Sequence, residues 1–565
     1  MRRKIPSTVF ILLGVILLLS VLANIQGVIH PVQVPGRCGS SHAQLRTMSD
    51  WPRIALVVEP GVESSIPGDV DAFEALLEAR FYQVIRVTQS WANVAALRSH
   101  LQTLYGQNVG LVGAVLLGDL PACWHIIPGA PVDEIGGPVP WFQSDLYLMD
   151  LDGHFEDLTG DGYIDFHSDP DGTGPADMLP EIWVSRIVPP VPPPEWQTDR
   201  MGMISDYINT LRDYLDGTYQ LSEEALLFVD NPWMESANGY YWDLADWYQT
   251  SDITLVSGAT ETTENRWLTE VDHGYDYGHI MVHAGHRCYT QCFWEHDEYS
   301  TSYLWYHELR QHDVNIPVLN LFTCKCTNFT HPDYIAGWYL FGPGRVASAI
   351  GSSRDGGMLF YDDFFLPQAR GWDVGRAFFE WFSEAVDGYA YWYDETWWRG
   401  MTLLGDPTFT LSQGLDVSAP LITQNSTGII IEGVMVQHPV QGILTVANRS
   451  DFQLVNAYSH LAEGISGELE YTNNGWRGFV PFDTIYNHGG GEFIVLCRFE
   501  TDDGYAGTCA PTSSFQWPPI LWIDLYWPEY VFIIGGGVLC MAILIIVMYV
   551  KRATLFGAAR MAQTH

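Results

Sequence analysis

Ile54-Ala55-Leu56-Val57-Val58 is an unbroken apolar run of the kind shown by strands buried on both faces. What surrounds it decides the fold. Val70, Phe73, Leu76 and Leu77 recur at helical spacing, and Tyr82 to Val87 is again strand-like. Val94, Leu97, Leu101 and Leu104 make a second helical stripe before the apolar run Val112 to Leu117 and Gly118-Asp119. Strands alternating with amphipathic helices predict crossover units, hence an α/β fold with a mostly parallel sheet and helices on both faces.

The pattern pauses at an acidic, glycine-rich loop (150–178) and resumes with a strand over Ile182 to Ile187. A rigid spacer, Pro189 to Pro194, precedes a helix marked by Ile204, Ile208, Leu211 and Leu215. Further strands are predicted at Ala225 to Val229, Ile253 to Val256, Ile280 to His283, Val318 to Phe322 and Val346 to Ile350. The α/β region (50–415) closes near Leu404-Gly405-Asp406-Pro407-Thr408. From 418 to 515 short β-rich stretches alternate with turn residues, which reads as an immunoglobulin-like β-sandwich serving as a stalk.

Both ends point to the membrane. Arg2, Arg3 and Lys4 precede the apolar run Val9 to Leu22, so residues 1–27 read as a signal peptide or an uncleaved N-terminal anchor. Val531 to Val550 is 20 residues without a charge, followed by Lys551 and Arg552. That is a transmembrane helix with a basic cytoplasmic tail (551–565), which places the bulk of the chain outside the cytoplasm at the cell surface. A formal charge of -40 in 565 residues excludes nucleic acid as a partner, because phosphates need a basic face. The 22 tryptophans demand a large core or an extended apolar groove.

Chemistry concentrates at two strand ends. Gly278-His279-Ile280-Met281-Val282-His283-Ala284-Gly285-His286 ends one apolar strand in a Gly-His, and Pro317 to Phe322 is followed by Thr323-Cys324-Lys325-Cys326. In open parallel sheets ligands bind beyond the carboxyl ends of strands, so neighbouring strands would bring an imidazole and a thiol together. A thiol beside an imidazole becomes a thiolate nucleophile. His283 and Cys326 compete for the two roles.

These blocks resemble the gingipain family of caspase-like cysteine peptidases. The strand-Gly-His block and the strand-Thr-Cys block, with Phe329 five residues past Cys324, carry the resemblance. In order with them stand Val115-Leu116-Leu117-Gly118-Asp119, Ser144-Asp145-Leu146-Tyr147, Ile182-Trp183-Val184-Ser185-Arg186 and Gly344 to Ser352. Over residues 50 to 412 the resemblance implies a caspase/gingipain-like sandwich and an endopeptidase that cleaves protein or peptide substrates without a catalytic cofactor. It implies Cys324 as nucleophile and His286, which follows Gly as the family histidine does, as its partner. Asp145 is implied as the acid that binds a substrate Arg or Lys; capping a turn or binding calcium is its other reading. Arg287 departs from the family's usual Gly after the histidine. That departure favours an altered specificity or a catalytically inactive surface binding protein on the same fold.

Two metal readings stand beside this. Asp157-Leu158-Thr159-Gly160-Asp161-Gly162-Tyr163-Ile164-Asp165 resembles a calcium loop, with Asp157, Asp161 and Asp165 at alternating ligand positions and Gly at the sharp turn. Cys288, Cys292, Cys324 and Cys326, beside His283 and His286, are a thiol set for structural zinc, although the single-residue gap between Cys324 and Cys326 is unusual. A Cys288–Cys292 disulfide is the alternative, and a Cys497–Cys509 disulfide is open to an exported chain.

Overall fold

The computed structural model describes residues 51–411 and 420–517, apart from shorter stretches that include 127–140, 169–177, residue 286, 296–299, 390–396 and 482–490. The expected signal segment (1–27), membrane span (531–550) and basic tail (551–565) lie outside the described residues, as does His286. Among the described residues no helix is long and apolar enough to cross a membrane.

Ten strands make one sheet: β1 (Arg53–Val58), β2 (Gln83–Thr88), β3 (Leu111–Leu117), β4 (Trp183–Ile187), β5 (Ala225–Val229), β6 (Ile253–Ser257), β7 (Tyr277–Met281), β8 (Val318–Phe322), β9 (Ser348–Ser352) and β10 (Met401–Gly405). The order across it is β6-β5-β7-β8-β9-β10-β4-β3-β1-β2. The fold is mixed α/β with a large, mostly parallel sheet, as the alternating pattern predicts. β4, β5, β7, β8, β9 and β10 are buried at every position, which is why they read as continuous apolar runs. The helices over Pro67–Ala79, Val94–Gln107 and Arg200–Leu215 bury the stripes that announce them: Val70/Phe73/Leu76/Leu77, Leu97/Leu101/Leu104 and Ile204/Ile208/Leu211. Trp183, Trp267, Trp338 and Trp381 are fully buried and account for part of the tryptophan excess.

One pairing changes the geometry of the whole sheet. β9 and β10 are antiparallel, Ser348 opposite Gly405 and Ser352 opposite Met401, while β10 runs parallel to β4. Strands β1 to β4 therefore point one way and β5 to β9 the other, so their carboxyl ends lie at opposite edges. The sequence pattern assigns no strand to Met401 to Gly405 and marks only Leu404 and Gly405, within the closing Leu404–Thr408 block.

From Leu421 to Trp517 the described strands pair antiparallel. One sheet takes Leu421–Gln424, Gly428–Gly433, Gly475–Pro481 and Glu470–Thr472 in that order. A second takes Ala462–Glu468, Arg449–Asn456, Gly491–Glu500 and Ala506–Cys509, with Phe515–Trp517 paired to Gly491–Glu500. Buried Trp476 and Phe499 meet between them, with ring centroids 5.0 Å apart. Cys497 and Cys509 stand opposite one another in the ladder. This region touches the α/β side. The amide of Ala506 donates to the Arg370 carbonyl (2.7 Å), and Arg498 Nη1 reaches the Arg80 carbonyl (3.5 Å) on the α/β side.

Candidate active site

The two chemistry-bearing strand ends are neighbours. β7 pairs with β8 in parallel, Met281 beside Phe322, and the Val282 amide donates to the Phe322 carbonyl (3.2 Å). Past Phe322 the chain turns sharply. The Thr323 amide bonds back to Leu321 O (2.8 Å), and Lys325 takes a left-handed backbone conformation at φ 63°. Such a conformation costs a non-glycine residue of order 1–3 kcal/mol and persists only where the surroundings impose it. Here the Lys325 amide is held by the Arg354 carbonyl (2.7 Å) and the Thr327 amide by Ser352 O (3.1 Å), both just past or at the end of β9. Lys325 Nζ also meets Asp355 at 3.2 Å. The turn presents Cys324 half-buried at the sheet edge and sends Cys326 into the core. Burial drives the Cys326 thiol far above its ordinary range, with Cys324 and Cys288 adding to the rise. Only the first thiol is placed to react with a solute.

On the histidine side, β7 ends at Met281, short of the predicted His283. His283 and Ala284 instead pair with the hairpin strand Thr290–Glu295, His283 opposite Cys292. The His283 ring stacks on Trp294 (centroids 4.4 Å, 16°) and leans on Trp233 (5.6 Å), and burial lowers its pKa. The ring is thus packed between two indoles. Gly285 follows, where a Cβ would fall 2.3 Å from Thr290 Oγ1, so the chain can pass only as glycine. The hairpin beyond is tied to the cysteine turn. Trp267 Nε1 donates to Tyr339 OH (2.7 Å), Tyr339 OH to Gln291 Oε1 (2.6 Å), and Gln291 Nε2 to Thr323 Oγ1 (3.2 Å). The hairpin that follows Gly285 is thus bonded to the turn that carries Cys324, and His286 is not among the described residues.

Pattern reading overlooked one acid at this edge. Asp230, directly after β5 and so beside the end of β7, is fully buried. Its carboxylate accepts from Asn231 N (2.8 Å), Thr262 Oγ1 (2.9 Å) and Trp294 N (2.9 Å). The one available signal was an acid directly after a continuous apolar strand and ahead of Asn231-Pro232.

The expected substrate acid is corrected. Asp145 is 2% exposed and faces the chain's own Arg186. Arg186 Nε donates to both carboxylate oxygens (3.0 and 2.9 Å) and Nη2 donates to Oδ1 (2.7 Å). The guanidinium also reaches the carbonyls of Leu120 (3.3 Å) and Pro121 (3.1 Å) and lies 4.4 Å from the Phe329 ring centre. An internal cation occupies the place proposed for a substrate Arg or Lys, and the pair braces Leu120, Pro121 and Phe329 instead.

The acidic loop is likewise turned on itself. Asp157 accepts from the amides of Gly160 (2.6 Å), Asp161 (3.2 Å) and Gly162 (2.8 Å), Asp161 from Tyr163 (3.1 Å) and Asp165 from Leu158 (2.8 Å). These amide bonds hold the Asp157 carboxyl below its usual pKa. Asp157, Asp161 and Asp165 do not gather around one point. Among the described residues the group of side chains close enough to share an ion is Asp150, Asp152 and Glu181. Among the described residues no three of the thiols come close enough to share an ion, and no disulfide joins Cys288 to Cys292.

Glu181 makes a prediction. Burial lifts its pKa to about 7, against the opposing bonds from the Leu151 and Asp152 amides, and burial with Glu74 nearby lifts Glu78 to about 7. A raised acid binds more protons folded than unfolded between its unfolded and folded pKa values. Stability contributed by these groups is therefore lost as pH rises from about 4.5 to about 7. The melting temperature should climb as pH is lowered through that window, and Glu181→Gln should flatten the climb. An unchanged profile in the variant would show that Glu181 titrates normally.

No family model matches the chain. No curated protein matches it either. Among solved structures, the crystal structure of dimeric latent PorU from Porphyromonas gingivalis is similar over 81% of this chain and 42% of that one, at 10% identity and a TM-score of 0.30. The chain spans less than half the length of that protein, and a likeness so shallow bears on neither activity nor residues.

Proposed function

We propose that the chain is a cysteine endopeptidase, tethered to the cell surface by residues 531–550, with Cys324 as nucleophile and His286 as its acid-base partner. The observation that supports it best is the turn after β8. A left-handed Lys325 holds Cys324 half-exposed at the edge where the chain following β7 emerges. In the reaction the Cys324 thiolate adds to the scissile carbonyl carbon, and amides of the adjoining turns offer donors to the developing oxyanion. Collapse breaks the C–N bond; His286 gives its proton to the departing amine, leaving a thioester. Water, deprotonated by His286, then hydrolyses the thioester and restores the thiol. The resemblance to gingipains supports this assignment of roles. It also supports the reading of the two antiparallel sheets as an immunoglobulin-like module between head and anchor.

The test is covalent capture. A peptidyl electrophile should label wild-type protein at one site, identified as Cys324 by peptide mass mapping, and His286→Ala should slow labelling sharply. Labelling spread over several thiols, at rates indifferent to His286, would sink the dyad. For the anchor, chains ending before Val531 should leave the membrane fraction. Retention would shift the tether to residues 1–27.

A further inference from the structure

A cavity of about 710 Å³ opens at the opposite edge of the sheet from Cys324. Its walls include Glu59 after β1, Trp91 after β2, Asp119 after β3, Trp124, Arg200 and Phe329. The topology explains why a crevice forms there. β1 lies between β2 and β3, so the connection after β1 leaves on one side, toward β2, and the connection after β3 on the other, toward β4. The floor is tightly built. The Glu59 amide donates to Leu117 O (2.9 Å), and the Asp119 amide donates to Glu59 Oε2 (2.7 Å). Gly118, at φ 98°, leaves the room Glu59 fills: a Cβ there would lie 2.6 Å from Glu59 Oε2. Arg200 Nη2 donates to the Asp119 carboxylate (2.6 Å), which balances its charge, and Nε donates to the Pro189 carbonyl (3.0 Å). Glu59 makes no ion pair among the described residues, although the Arg200 charge acts on it; two carboxylates, Glu59 and Asp119, thus share the single guanidinium of Arg200 and leave the cavity net negative between indole-bearing walls. Leu120, Pro121 and Phe329 are locked by the Arg186–Asp145 pair.

We infer that this cavity is a second, non-catalytic binding site that takes a lysine or arginine side chain of a polypeptide. Its volume is in the range of ordinary ligand sites. A flexible aliphatic stem can lie against Trp91 and Trp124, as cations do on aromatic faces, and its charged head can reach Glu59. A chain of net charge -40 also draws basic segments toward its surface. The β4 strand separates this site from the Cys324 edge by about 17 Å at ~3.3 Å per residue. Under the peptidase reading, a bound basic segment therefore acts as a remote hold on the substrate. The binding itself does not depend on that reading.

The experiment uses the full chain carrying Cys324→Ala, so that nothing is cleaved. Fluorescence anisotropy follows a labelled hexapeptide, Gly-Ala-Lys-Ala-Pro-Gly, and the same peptide with norleucine for lysine. The lysine peptide should bind about tenfold or more tightly than the norleucine peptide, the value of one charge-assisted bond. Glu59→Gln should erase that difference, and Trp124→Ala should weaken both peptides. Circular dichroism of both variants checks that they fold. Equal binding of the two peptides, or a preference that survives Glu59→Gln, overturns the assignment. Displacement of the lysine peptide by n-butylammonium at equal affinity overturns the polypeptide as ligand. Failure here leaves Cys324 labelling untouched, so the two proposals fall separately.

Discussion

Cys324→Ala should abolish peptide-bond hydrolysis, a loss on the order of 10⁴-fold or more, while thermal stability moves by about 0.5 kcal/mol or less. The reason is placement. The Cys324 thiol is half-buried at the edge and contributes little packing, yet under the proposed mechanism the new covalent bond forms on its sulfur. Cys326→Ala should do the reverse. Its Sγ is in the core, 3.6 Å from the Leu321 carbonyl and close against Gly351, so truncation leaves a void and costs about 1–2 kcal/mol. Activity should survive it at temperatures below the lowered melting point. Peptide hydrolysis and melting curves on the two variants decide the matter. An active Cys324→Ala with an inactive, stably folded Cys326→Ala would move the nucleophile two residues along the turn.

The second large effect is on stability. Asp145 and Arg186 are buried together, 2% and 0% exposed in their side chains. Removing one partner leaves an uncompensated charge in the core and typically costs about 3–5 kcal/mol. Arg186→Ala should suffer most, because the Leu120 and Pro121 carbonyls and the face of Phe329 lose their partner too. The double variant Asp145→Leu/Arg186→Met should recover a large part of the loss, since apolar replacement of a buried pair is often near neutral. Chemical denaturation of the three proteins measures this. Asp145→Asn, in turn, should leave the ratio of cleavage after basic and apolar residues unchanged. A collapse of that ratio with no loss of stability would restore Asp145 to substrate recognition.

What the sequence disclosed follows from what each signal encodes. Ala225 to Val229 and Val318 to Phe322 were legible to the residue because both faces of each strand are buried and the apolar run has no competing reading. Met401-Thr402-Leu403-Leu404-Gly405 was not, since a short run of that composition says nothing about direction, and direction is what splits the sheet into opposed halves. The blocks containing Asp145 and Arg186 were each visible. Nothing in a spacing of 41 residues says that they meet, so the acid was assigned to a substrate instead of its internal partner. The 157–165 loop shows a different ambiguity. Asp and Gly at those positions serve a calcium ion and a run of side-chain-to-amide turns equally well.

The antiparallel seam has a consequence for how the chain is made. β4 is synthesised by residue 187 and β9 by residue 352, yet the strand that covers the exposed edge of each is Met401–Gly405. Until it emerges, two apolar edges with unpaired backbone groups wait side by side, an invitation to pair with another chain. Closing the sheet joins strands more than two hundred residues apart for β4, a distant pairing of the kind that folds slowly. A nascent chain that stalls short of residue 401 therefore holds two incomplete half-sheets and depends on protection from aggregation. Five further residues turn it into one continuous surface.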